Sequence, residues 1–261
     1  MTEKDYRASE GVSRSELWRL MESPEKFKYL QEHPEPPSPA LVFGAVVHKL
    51  FLEPEDFVNE YVVVETTDRR TKAGKEAWRV AELSGKTPVS VADYQIASAM
   101  VEKLHKTPFV DKLLDGDCED MMRWTDDLTG EVCKIRMDCL THIGITPVII
   151  DYKTTTDASP EGFIKSALKY GYDFQTGMYT EGVEKLTGIK PRFVFIVQEK
   201  TAPYAVNIME ADELFIKRGR DTFRYLIGLY HECKTTDNWF GYMGAEPSIG
   251  KLYLPSWAVK E

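Results

Sequence analysis

The segment from 132 to 154 constrains this chain more than any other. In Lys134-Ile135-Arg136-Met137-Asp138-Cys139 polar and apolar residues alternate. That period predicts a strand over 132–140, with Lys134, Arg136 and Asp138 on one face and Ile135, Met137 and Cys139 on the other. A turn at Gly144 follows, then Pro147-Val148-Ile149-Ile150-Asp151-Tyr152-Lys153-Thr154. The unbroken apolar run reads as a buried strand, and at its end Asp151 and Lys153 point the same way. If the two strands pair, Asp138 and Asp151 converge with Lys153 beside them. Two carboxylates at the mouth of a buried strand make a hard oxygen site suited to Mg2+, with Mn2+ an alternative. A lysine there positions a nucleophilic water and offsets charge gathering on a phosphate. Nothing in this trio suits hydride or acyl transfer. Taken alone, a strand ending in Asp-x-Lys is usually a surface ion pair; the paired Asp138 is what raises the chemical reading.

Around this segment the pattern predicts a mixed α/β fold. Ser13-Arg14-Ser15-Glu16 is a capping box that opens a helix, and Leu17, Leu20 and Met21 form its apolar stripe. Ser23-Pro24 interrupts it, and Glu35-Pro36-Pro37-Ser38-Pro39 is an extended connector. Helices are expected over 40–52, 72–83, 91–105, 160–169, 173–187 and 211–233. Strands are expected over 61–64, 121–124, 132–140, 147–153, 193–198 and 205–209. No linker or repeat divides the chain, which points to one domain over 1–261 with a central mixed sheet flanked by helices. Its expected parts are an N-terminal helical part (about 11–110), a core (about 115–210) and a C-terminal helix and tail (about 211–261). Ser84-Gly85-Lys86-Thr87 looks like a phosphate-loop ending, but Val80 stands where the motif needs glycine and the preceding residues read as helix.

Composition removes several classes. The formal charge is −9, from 42 acidic against 33 basic residues, so the chain does not coat nucleic acid non-specifically. No apolar run approaches the ~18–20 residues of a membrane span. The start, MTEKDYRASEG, carries no apolar export segment, so a cytoplasmic location is expected. The four cysteines, at 118, 133, 139 and 233, form no Cys-x2-Cys pair, which reads as reduced thiols and not a zinc ribbon.

Asp138 followed by Asp151-Tyr152-Lys153 resembles the PD-(D/E)xK nuclease core. Gly44-Ala45-Val46-Val47-His48-Lys49-Leu50-Phe51-Leu52-Glu53-Pro54 resembles the histidine-bearing helix of RecE-type and lambda-exonuclease-like phage recombination exonucleases. Gln175-x-x-x-Tyr179 resembles the Q-x-x-x-Y motif of the RecB-like branch, and Ser13-Arg14-Ser15 resembles that family's N-terminal helix. The motifs fall in the family's order between about 11 and 210. The resemblance implies a restriction-endonuclease-like fold in which His48, Asp138 and Asp151, with the Tyr152 carbonyl, hold metal and Lys153 is the catalytic lysine. It places Glu119 near the metal, with Asp120 competing for that role. Gln175 and Tyr179, one helical turn apart, would contact substrate or steady the lysine. Arg14, Ser13 and Ser15 would meet a 5′-phosphate. On its own, a histidine among Ala45, Val46, Val47, Leu50 and Phe51 reads as a core residue. Cas4-like and AddB-like relatives add a four-cysteine cluster, which these interleaved cysteines do not supply.

The function this implies is a Mg2+-dependent 5′→3′ exodeoxyribonuclease on ends of double-stranded DNA. Its products would be 5′-mononucleotides and 3′ overhangs for recombination by strand annealing. The resemblance also implies a ring-shaped homo-oligomer, trimer or tetramer, and a RecT- or beta-type single-strand annealing partner. The alternatives are another PD-(D/E)xK nuclease, an endonuclease or repair enzyme, or a catalytically silent fold that binds DNA or protein.

Overall fold

A computed structural model describes residues 3–65, 70–255 and 258. The chain opens with α1 (Glu3–Ala8), β1 (Val12–Ser13), α2 (Arg14–Arg19), α3 (Pro24–Glu32) and α4 (Pro39–Leu52). There follow α5 (Phe57–Glu60), β2 (Tyr61–Val64), α6 (Lys72–Leu83), β3 (Thr87–Ser90), α7 (Val91–His105) and α8 (Val110–Leu113). The middle is β4 (Asp117–Cys118), β5 (Met121–Thr125), β6 (Val132–Arg136), β7 (Cys139–Ile143) and β8 (Thr146–Thr155). The chain then runs through α9 (Pro160–Tyr170), α10 (Tyr172–Thr187), β9 (Arg192–Glu199), β10 (Val206–Glu210) and α11 (Glu213–Thr236).

The main sheet has the order β10-β9-β8-β7-β4. It is mixed: β8 runs parallel to β9 and antiparallel to β7. A smaller sheet, β1-β6-β5, and the parallel pair β2-β3 complete the strands among the described residues. Strand β8 carries out the expected burial. Val148, Ile150 and Tyr152 pack in a core that includes Val46, Val47 and Phe51 of α4 and Ala97 and Met100 of α7. Ile149 faces the opposite core, with Phe174 and Met178 of α10 and Phe223 and Leu226 of α11. Period two therefore places Asp151 and Lys153 on the α10 side, while α4 covers the other face.

One expected strand is corrected. The alternating run over 132–140 is not a single strand. It breaks at Met137–Asp138 into β6, in the small sheet, and β7, in the main one. The partner breaks at the same level, between β4 and β5. There Glu119 has φ +56, its N–H donates to the Asp138 carbonyl at 3.0 Å, and Met137 N–H donates to the Asp120 carbonyl at 2.9 Å. One kinked hairpin thus passes from sheet to sheet, and Glu119 and Asp138 sit at the kink.

Ser23-Pro24 also reads differently in the fold. It starts α3, with Pro24 at the first turn and the Ser23 hydroxyl accepting from Lys26 N–H at 3.2 Å. The polar stretch after α6 is a turn at Gly85 (φ +76) leading to β3, not a phosphate loop.

Candidate active site

The register Cys139↔Ile150 puts Asp138 and Asp151 at adjoining levels of β7 and β8. Asp138 is fixed by its own backbone surroundings: Tyr152 N–H donates to its Oδ2 at 2.7 Å. His48 projects from α4 at the same point. Its Nε2 lies 2.8 Å from the Tyr152 carbonyl oxygen and its Nδ1 3.7 Å from Asp138 Oδ2. The apolar residues around it in sequence do pack in the core, yet the imidazole itself faces the carboxylates, its ring tilted at 53° to that of Tyr152 with centroids 4.9 Å apart.

His48, Glu119 and Asp138 bring one ligand atom each to within 4.8 Å of the others, a grouping able to hold a metal ion. Glu119, not Asp120, joins it; the Asp120 carboxylate instead accepts from Met121 N–H at 2.8 Å. Asp151 stands just behind this group. It is almost fully buried, ion-paired with Lys153, and its Oδ1 accepts from Gln175 Nε2 at 2.5 Å. Gln175 thus bonds the aspartate that pairs with Lys153. Lys153 Nζ lies 4.9 Å over the Tyr172 ring. The donor set, carboxylates and an imidazole beside a backbone carbonyl, is that of a divalent cation site.

The electrostatics follow from burial among like charges. Burial, and then the neighbouring Asp138 charge, push Glu119 up to about 8, although Arg136 pulls the other way. Burial raises Asp151 too, with Lys153 opposing. Burial works against the Lys153 ammonium, but Asp151 and Asp138 outweigh it and hold the proton on.

A cavity of about 290 Å3 collects these groups. His48, Glu119, Asp138, Gln175 and Tyr179 line it together with Ser13, Arg14 and Ser15. Tyr179 and Ser13 are buried in its wall. The capping box at Ser13 is formed, so that hydroxyl is engaged with Glu16 and lies 3.2 Å from the Ser15 hydroxyl. The Arg14 guanidinium bonds the Tyr170 and Gly171 carbonyls at the end of α9, while its buried Nε has no hydrogen-bond partner among the described residues.

Sequence reasoning gave no role to a second ring of charge in the same cavity. Arg136 pairs with Glu119 at 2.5 Å and Glu53 at 3.4 Å, and Lys49 pairs with Glu53 at 2.6 Å and Glu60 at 2.8 Å. Arg136 was visible as a cation on the same strand face as Asp138. Lys134, its neighbour in that alternation, goes elsewhere: its Nζ binds the carbonyls of Tyr6, Arg7 and Ser9 below α1.

An Asp-x-Lys strand end, a second aspartate one strand away and a helix-borne histidine, set in a mixed sheet between helices, define the PD-(D/E)xK nuclease class. Residues 13–246 match the family described as a PDDEXK-like domain of unknown function (DUF3799), and the chain belongs to it. The crystal structure of a candidate exonuclease from Eubacterium rectale aligns with a TM-score of 0.67, covering 97% of this chain and 96% of that one. At 16% identity that likeness establishes the fold. A second solved structure, SSO0001, aligns at a TM-score of only 0.31, with 16% identity over 69% of this chain and 85% of its own. No protein of curated function matches the sequence. Among the described residues no helix is long and apolar enough to cross a membrane.

Proposed function

We propose that this chain is a Mg2+-dependent 5′→3′ exodeoxyribonuclease that degrades one strand of linear double-stranded DNA and leaves 3′ overhangs for strand annealing. The observation that carries the reading is the meeting of His48, Glu119 and Asp138 in one cavity with the Asp151–Lys153 pair behind them. His48, Asp138, Asp151, Glu119 and the Tyr152 carbonyl are the groups that would hold the metal, which when bound supplies Lewis acidity at the scissile phosphate. Lys153, held charged by its aspartates, places a water and offsets charge developing on the phosphate. Gln175 keeps Asp151 oriented. Arg14, which lines the cavity and whose Nε has no hydrogen-bond partner among the described residues, offers the contact for a 5′-phosphate, helped by Ser15. Tyr179 shapes the wall that the reacting nucleotide meets.

A ring of three or four copies would reconcile a charge of −9 with DNA binding, because the basic residues need only line a channel. A RecT- or beta-type annealing protein would receive the overhang. The test compares linear duplexes labelled at one 5′ or one 3′ end with a closed circle, all in Mg2+. Release of the 5′ label first, with the circle intact, supports the proposal. A cut circle makes the chain an endonuclease or repair nuclease, and DNA retained without cleavage makes it a silent binding fold.

A further inference from the structure

We propose that Cys118 and Cys139 form a site of reversible covalent modification, a cross-strand disulfide closed by a low-molecular-weight disulfide acting as oxidant. The two residues stand directly opposite each other on β4 and β7. The next pair along, Glu119 and Asp138, carries the hydrogen bond from Glu119 N–H to the Asp138 carbonyl. Bonded and non-bonded pairs alternate in an antiparallel ladder, so Cys118 and Cys139 are the non-hydrogen-bonded pair, whose side chains approach closest. Backbone separations in such a pair lie inside the range a disulfide spans. The two free thiols lie 2.6 Å apart, sulfur to sulfur. Cys118 is half-buried, whereas Cys139, Cys133 and Cys233 are buried. One thiol of the pair is thus the entry point and the other the resolving partner.

The chemistry balances. The Cys118 sulfur, giving up its proton, attacks one sulfur of oxidised glutathione and releases one glutathione thiol. The Cys139 sulfur then attacks Cys118 Sγ and releases the second. One protein S–S bond forms, one glutathione S–S bond breaks, and the two thiol protons end on the two released thiols.

The position gives the bond a consequence. Strand β4 is the edge of the main sheet and pairs with β7 at only two residues, Asp117 and Cys118. Glu119 follows Cys118 directly, and Asp138 precedes Cys139 directly. The disulfide therefore ties the edge strand carrying one carboxylate of the metal group to the strand carrying another, and holds both through any fraying of the edge.

The protein is incubated with oxidised glutathione, alkylated, digested and weighed. The expected result is a linked peptide pair containing Cys118 and Cys139, with Cys133 and Cys233 alkylated and the link reversed by dithiothreitol. The metal-free melting temperature should rise by on the order of 5 °C on oxidation. Adding Mn2+ should raise it at least as much in the oxidised chain as in the reduced one. Cys118→Ser, an entry-point variant at the less buried position, should keep its fold by circular dichroism and lose both the link and the oxidation-dependent rise. A stable glutathione adduct on Cys118 without the link, or oxidation spread over all four cysteines, overturns the site. A smaller Mn2+ response after oxidation overturns the claim that the bond preserves the metal group. None of these readouts requires DNA cleavage, so they stand apart from the test of nuclease activity.

Discussion

Asp151 and Lys153 are a buried ion pair, and burial decides what each substitution does. Lys153→Ala removes the cation that the site needs in the transition state, and it also strands a buried carboxylate. The variant should lose nearly all turnover and about 3 kcal/mol of stability. The double variant Asp151→Asn with Lys153→Met should recover most of the stability and none of the activity, as chemical denaturation and a nucleotide-release assay would reveal. Equal stability of Lys153→Ala and the parent would mean the pair is not buried as described. Glu119 gives the pH dependence. Its folded value of about 8 stands above the ordinary 4.5, so the folded chain holds a proton that the unfolded chain has lost. Metal-free stability from this group is fully present below about 4.5 and declines as pH rises toward 8. A metal needs the ionised form, so its affinity should climb over the same interval. Melting curves with and without Mn2+ between pH 5 and 9 check both slopes, and Glu119→Gln should flatten them. In the same cavity, Arg14→Ala should shrink the preference for a 5′-phosphate over a 5′-hydroxyl end; a duplex pair differing only in that group measures it. Asp138, Asp151 and Lys153 stood out because each sits in a short local pattern, whereas His48, whose neighbours alone read as core, stood out only through the family resemblance. The resemblance already placed Glu119 near the metal, beside Asp120; the choice of Glu119 over Asp120, and the charges of Arg136, Glu53 and Lys49 in the same cavity, depend on a kink between two strands that no local pattern announces.

At the scale of elements, the buried run Val148-Ile149-Ile150 located β8, and the long helices fell close to their expected bounds. The kinked hairpin did not show, because alternation continues through Met137–Asp138 while the break is imposed by the opposite strand at Glu119. Helix α3 was hidden by a proline read as an interruption, although Ser-Pro at a helix start is a cap followed by a first-turn proline. The site also rests on how closely α10 meets α11. A Cβ at Gly177 would come within 2.1 Å of the Arg220 nitrogen and the Gly219 carbonyl carbon. This is backbone against backbone, which cannot yield as a side chain would. Gly177→Ala should cost about 3 kcal/mol and should weaken catalysis by displacing Gln175, two residues away on the same helix. Thermal denaturation together with the rate per folded molecule measures the two effects; an unchanged melting temperature would contradict the packing.

For the whole molecule, the sheet serves to bring distant stretches of chain to one point. The α4 histidine arrives from one face and the α10 glutamine from the other, and the kinked hairpin delivers two carboxylates from the edge. The mixed α/β class was legible because strand and helix periods alternate along the chain. The division of the strands among three sheets was not, since it follows from pairings such as β1 with β6, far apart in sequence. The central claim is that this convergence is a metal-dependent nucleolytic site. The most direct measurement is nucleotide release from a linear 5′-phosphorylated duplex by the parent chain and by Asp151→Asn, each in Mg2+ and in EDTA, with folding of both checked by circular dichroism. The account predicts steady release by the parent in Mg2+, none in EDTA, and none by the folded variant under either condition. Release by Asp151→Asn at the parent's rate, or by the parent in EDTA, would contradict it.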